Sequence, residues 1–95
     1  MRIYDIIVRP LETEKAYILR EQDKYVFVVH MNANKLEIKR AVEQIYGVDV
    51  NRVHTMVMPG KISRLRGRRQ STRRAPWKKA VVTLAPGERI EALEA

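Results

Sequence analysis

The sequence contains no cysteine. That rules out a disulfide framework, a thiol nucleophile and thiolate metal ligands, and it is compatible with a reducing compartment. There are two histidines, His30 and His54, on separate predicted strands, with no spacing that would build a zinc site. Glu12 and Glu14 stand close together, but no general-acid partner or facing pocket goes with them. Pro59-Gly60-Lys61 lacks the glycine frame and the following serine or threonine of a nucleotide-binding loop. No enzymatic chemistry, metal or cofactor is therefore expected. The longest apolar runs, Tyr25 to Val29 and Ala80 to Leu84, fall far short of the roughly 20 residues that span a bilayer. The opening residues Met1 to Asp5 lack the basic region, apolar core and cleavage site of a secretory signal, so a cytoplasmic location is expected. The 95 residues fit a single domain, 1–95, with one modest core and no internal repeat.

Acidic residues are missing from one stretch in particular. Between Lys61 and Lys79 stand Lys61, Arg64, Arg66, Arg68, Arg69, Arg73, Arg74, Lys78 and Lys79, with no aspartate or glutamate among them. The formal charge of +8 is concentrated there, and the rest of the chain is close to neutral. Such a block of like charge repels itself unless a polyanion compensates it.

The flanking sequence reads as alternating helices and strands. Thr13 can cap a short helix over 13–20, with Glu14 in its first turn, where helix amides favour a carboxylate. Lys24 to His30 is rich in β-branched and aromatic residues and apolar on both faces, as expected for a covered strand. Asn34 and Glu37 form a capping box that opens a helix over 35–46. Ile38, Ala41, Val42 and Ile45 line its apolar side, and Gly47 is placed to end it in the left-handed conformation. A strand region runs from Val48 to Met58 and stops at Pro59-Gly60. Another begins at Trp77, continues through Leu84 and stops at Pro86-Gly87. Residues 88–95 suggest a short C-terminal helical turn. Residues 60–76 read as a long basic loop between two strands expected to be antiparallel neighbours, and strand order stays open.

The loop carries the main functional signal. Arginine presents fixed donors that match phosphate oxygens, and lysine a mobile charge. Gln70, Ser71 and Thr72 add uncharged hydrogen bonds, and Gly67 permits close backbone approach. The expected RNA-binding residues are Lys61, Arg64, Arg66, Arg68, Arg69, Gln70, Ser71, Thr72, Arg73, Arg74, Trp77, Lys78 and Lys79. RNA is preferred to DNA because no base-reading helix, zipper or zinc finger is present. Trp77 suits either stacking on a base or packing at the root of the loop. Tyr4, Tyr17, Tyr25 and Tyr46 are dispersed and read as packing residues.

Several motifs in order give the chain a family likeness: Arg9-Pro10, Thr13-Glu14-Lys15-Ala16, Asn34 to Lys39, Gly47 to Val50, Pro59-Gly60-Lys61 and Trp77 to Leu84. Together they resemble the bacterial form of large-subunit ribosomal protein twenty-three. The resemblance implies an α+β domain in three α/β/α layers with a four-stranded antiparallel sheet, and so an additional short strand near the N-terminus or the sheet edge. It also implies binding to large-subunit rRNA beside the tunnel exit, next to other large-subunit proteins. A tunnel-exit chaperone such as trigger factor, and the signal recognition particle or translocon, would dock on its outer face. Glu14, Tyr46 and Gly47 would serve that docking. Some relatives carry an acidic residue where Gly47 stands, and Glu43 and Asp49 are the local acids that would compensate. No obligate homo-oligomer is expected. A free-standing RNA-binding or RNA-chaperone module is the alternative, since it would share the basic loop.

Overall fold

A computed structural model of the chain describes residues 2–60, 62–64, 71–73 and 75–93, with 62–64 and 71–73 described by their backbone alone. A four-residue helix α1 (Ile3–Ile6) runs directly into strand β1 (Ile7–Pro10), followed by α2 (Glu14–Arg20), β2 (Lys24–Val29), α3 (Lys35–Tyr46) and β3 (Val50–Met58). Two short strands, β4 (Ile62–Arg64) and β5 (Ser71–Arg73), precede β6 (Trp77–Leu84) and a 3-10 turn at Glu91–Leu93. The main sheet is antiparallel throughout, in the order β1-β2-β6-β3. The strand implied near the N-terminus is β1, which sits at the sheet edge, where Pro10 and its missing N–H are tolerated.

Local codes fix the helices. The Thr13 hydroxyl accepts from the Ala16 N–H at 3.2 Å and starts α2. Both halves of the Asn34–Glu37 capping box are present, at 2.8 and 3.1 Å. Gly47 closes α3 at φ +66°, its N–H donating to the Glu43 carbonyl. These bonds satisfy helix-end groups that would otherwise be orphaned.

The core lies between α3, α1 and one face of the sheet. Tyr25, Phe27 and Val29 from β2, Ala80, Val82 and Leu84 from β6, and Val50 and Val53 from β3 meet Ile38, Ala41 and Val42 there. Fully burying a side chain such as Phe27 or Ile38 contributes about 1.5–3 kcal/mol, so this cluster dominates stability. Strict alternation from Val50 would turn Val53 outward. An irregularity in the ladder between Val50 and Arg52 lets both reach the core. On the second face α2 packs against β2, and Ala16 and Val26 are buried outside the main cluster. The third layer is thus α2, over the β2 end of that face.

The expected long loop contains a two-stranded ribbon, with Ile62 opposite Arg73 and Arg64 opposite Ser71. The C-terminal turn forms as the 3-10 turn. It is tied back by the Ile90 N–H, which donates to the Tyr25 hydroxyl at 3.3 Å, and by Arg20, whose guanidinium donates to the Leu93 carbonyl at 2.7 Å.

Candidate RNA-binding and docking surfaces

β3 and β6 pair from Val50 and Leu84 to Met58 and Trp77, and the β4–β5 ribbon continues the chain from that end. The basic segment, the arm of the domain, is therefore rooted at the end of the two longest described strands. Arg64, Ser71, Thr72 and Arg73 lie on the ribbon. Lys61, Arg66, Arg68, Arg69, Gln70 and Arg74 lie outside the described residues.

At the root of the arm the strand alternation separates three residues that the sequence groups. Trp77 is half-buried opposite Met58, on the face away from α3. Lys78 points to the α3 side, where its ammonium donates to the Ala33 carbonyl at 2.6 Å. Lys79 shares the face of Trp77 and is bracketed across the ladder by Val28 and Met56.

That second face carries cations the loop-centred sequence reading did not single out. Arg9 lies across from Val28, and Lys24 and Arg52 lie on either side of Thr83. Their common face could have been found from strand parity only once the sheet order was known.

The residues expected to dock partners lie elsewhere. Glu14 is exposed in the first turn of α2, and the cap there is supplied by Thr13. Tyr46 is partly structural: its ring stacks on Phe27 with centroids 5.7 Å apart, and burial raises its hydroxyl pKa above the ordinary value. Tyr46 and Gly47 line an open groove of about 360 Å³ with Ile45, Val48 and the segment from Glu88 to Ala92. The C-terminal segment connects this groove to α2 through the Arg20–Leu93 bond. Glu43 is already committed, since its carboxylate accepts from the Val50 N–H at 3.2 Å, whereas Asp49 is exposed.

Among the described residues Arg20 is the buried charge. It pairs with Glu12 at 3.3 Å and lies 4.8 Å from the Tyr17 ring centroid. A hydrogen bond from the Tyr17 hydroxyl, and then the Arg20 charge working against desolvation, lower the Glu12 pKa. The same bond raises that of Tyr17. Glu12 therefore belongs to a structural network and does not form a carboxylate pair with Glu14. The His30 ring nitrogen accepts from the Asn32 N–H at 3.1 Å. Among the described residues no acid, histidine and cysteine cluster could hold a metal ion, and no helix is long and apolar enough to cross a membrane.

Comparison with known proteins gives one consistent answer. A family model described as ribosomal protein L23 matches residues 5–92. Large ribosomal subunit protein uL23 of Herpetosiphon aurantiacus is 52% identical, with 99% of this chain and 98% of that protein covered. Its counterpart in Roseiflexus castenholzii is 51% identical over 99% and 98%. The protein of the same name from Thermotoga neapolitana is 50% identical over 99% and 92%.

Proposed function

The chain belongs to the ribosomal protein L23 family of the large ribosomal subunit, and on that premise we propose that it binds large-subunit rRNA beside the polypeptide tunnel exit and presents a docking surface there. The factors that dock are ribosome-associated chaperones, such as trigger factor, and the signal recognition particle or translocon. The family is structural, and the contribution is scaffolding. Cations neutralise phosphates that RNA folding brings close together, while the domain holds a protein surface at the subunit rim.

The observation that carries RNA binding is the acid-free basic segment 61–79, most of which joins two directly paired strands and whose last residues begin the second of them. An arm rooted in the sheet can enter folded RNA without unfolding the domain. Docking is supported by the exposure of Glu14 and by the groove at Tyr46 and Gly47 on the segment that Arg20 ties to α2.

Sedimentation of native lysate in magnesium tests the proposal. Stoichiometric migration with large subunits through a moderate salt wash is expected. A predominantly free pool would instead favour an independent RNA-binding or RNA-chaperone module.

A further inference from the structure

We propose that the sheet face opposite α3 is a seat for an RNA helix, in which Arg9, Lys24, Arg52 and Lys79 meet phosphates on either side of a mainly apolar floor. The seat rests on the rRNA-binding function above and adds a second contact surface to the projecting arm.

Charge is sorted by element. Among the described residues the acids fall in helices, connecting segments or the C-terminal segment, and none falls in a strand. The α3 surface mixes signs, with Lys35, Glu37, Lys39, Arg40 and Glu43 on one helix. The strand positions of the second face hold only cations and neutral groups, while α2, over the β2 end, carries Glu14 with Glu12 and Glu21 beside its ends. Of the ion pairs between described side chains, Arg20–Glu12 belongs to α2 and the segment before it, and Arg89–Asp23 joins two connecting segments, so neither uses a side chain of β3 or β6. A one-signed face on a folded domain favours a polyanion, and its lack of acids disfavours a basic protein partner.

The ladder gives the layout. Arg9, Val28, Lys79 and Met56 form one row across the sheet; Val26, Val81 and His54 form the next; Lys24, Thr83 and Arg52 form the third. At about 4.8 Å between strands and about 6.8 Å between same-face rows, Arg9 and Lys79 stand about 10 Å apart, as do Lys24 and Arg52. The two cationic rows are about 14 Å apart, with Val81 and the exposed His54 between them and Val26 buried beneath α2. α2 packs chiefly on β2, and on β3 Arg52 and His54 are exposed on this side.

An RNA helix fits this surface better than the other nucleic acids. Its minor groove is wide and shallow and presents riboses between two phosphate rows, which a shallow face with a mainly apolar floor and cationic rows can meet. The major groove of DNA must be entered by a projecting helix or ribbon, which this face lacks. Single strands are gripped by rows of aromatic rings, and the face offers one, the half-buried Trp77 at its end. Because β3 and β6 continue from this face into the arm, seat and arm would engage the same RNA, each raising the other's effective concentration.

The test uses the full chain and two charge-matched variants. Arg9→Gln, Lys24→Gln, Arg52→Gln and Lys79→Gln are combined in one. Lys15→Gln, Lys35→Gln, Lys39→Gln and Arg40→Gln are combined in the control. Binding to a large-subunit rRNA transcript and to a plain RNA duplex is measured across monovalent salt, with near-ultraviolet circular dichroism confirming the fold. The sheet variant should lose at least about 30-fold in affinity for both RNAs and flatten the log–log salt slope by about 3, while the control changes less than about threefold. Should the combined variant misfold, Arg9→Gln and Arg52→Gln at exposed positions should each still weaken binding about threefold to fivefold. Equal losses in the sheet and control variants would overturn the seat. So would unchanged RNA affinity accompanied by poor incorporation into subunits, which would give the face to a neighbouring protein. A wild-type chain that fails to bind the transcript would overturn the rRNA-binding function itself, a distinct outcome.

Discussion

The ammonium of Lys78 lies 2.6 Å from the carbonyl oxygen of Ala33, while Lys79, the next residue, leaves β6 on the opposite face. Two adjacent lysines therefore have different work. Lys78 ties β6 to the turn that precedes α3, and Lys79 stands among the cations of the face opposite α3. Lys78→Met should lower the unfolding free energy by about 1–3 kcal/mol, since it leaves the carbonyl of the buried Ala33 without its charged donor. Lys79→Met should leave stability within about 0.5 kcal/mol. Urea unfolding of both, paired with rRNA affinity, checks the division: Lys79→Met should be the weaker binder.

Removing the arm's guanidinium groups should reveal its electrostatic role. If about five cations replace condensed counterions, wild-type affinity should fall about 100-fold to 1,000-fold on a fourfold rise in salt. Replacing Arg64, Arg66, Arg68, Arg69, Arg73 and Arg74 with glutamine should flatten that dependence and reduce incorporation into large subunits. Lysine replacements should restore the salt slope more fully than the affinity, because they keep charge and lose the planar donor fork. Filter binding at several salt concentrations reads both.

Docking calls for variants that leave the fold intact. Glu14 is exposed and Thr13 supplies the cap, so Glu14→Ala should cost at most about 0.5 kcal/mol of stability through the helix dipole. On large subunits of normal composition it should weaken binding of purified trigger factor by about tenfold or more, as loss of a charged anchor does. Tyr46→Ala is a poor probe because it removes the ring stacked on Phe27. Tyr46→Phe preserves that packing and tests the hydroxyl alone.

The Glu12, Tyr17 and Arg20 network should shape the acid limb of the stability curve. The Glu12 carboxyl is held below its ordinary value of 4.5, chiefly by the Tyr17 hydroxyl. A depressed folded-state pKa gives stability that is present above the unfolded value and lost as pH falls through the folded one. Glu12→Gln should therefore lower stability by a nearly constant amount between pH 6 and 8 and flatten the decline below about pH 4.5, so that the two curves converge in acid. Chemical unfolding at a series of pH values shows this. An acid limb unchanged in the variant would contradict the network.

Gly47 is required for its backbone and not for space. Its φ is +66°, and a Cβ there would meet nothing within 4 Å. Gly47→Ala should cost about 1 kcal/mol through left-handed strain alone, and Gly47→Asn noticeably less. Thermal unfolding ranks the three residues.

Sequence by itself determined whatever is encoded over a few neighbouring residues. The Asn34–Glu37 box and Gly47 bounded α3, Thr13 started α2, and the β-branched and aromatic run of Lys24 to His30 and the run from Trp77 to Leu84 marked strands. The acid-free run from Lys61 to Lys79 marked the cationic segment, and ordered motifs along the chain carried the family likeness. Tertiary structure alone decided what depends on residues far apart in the chain. Ile7 to Pro10 is too short and too mixed to read as a strand until Val29, Val28 and Phe27 pair with it. The ladder irregularity at Val50 and Arg52 rotates Val53 into the core, which no local period announces. Arg20 reads as one more surface cation, yet Glu12, Tyr17 and Leu93 converge on it. Arg9, Lys24, Arg52 and Lys79 become one surface only because β6 inserts between β2 and β3, and hydrogen-bond pairing over such separations is set by the whole sheet.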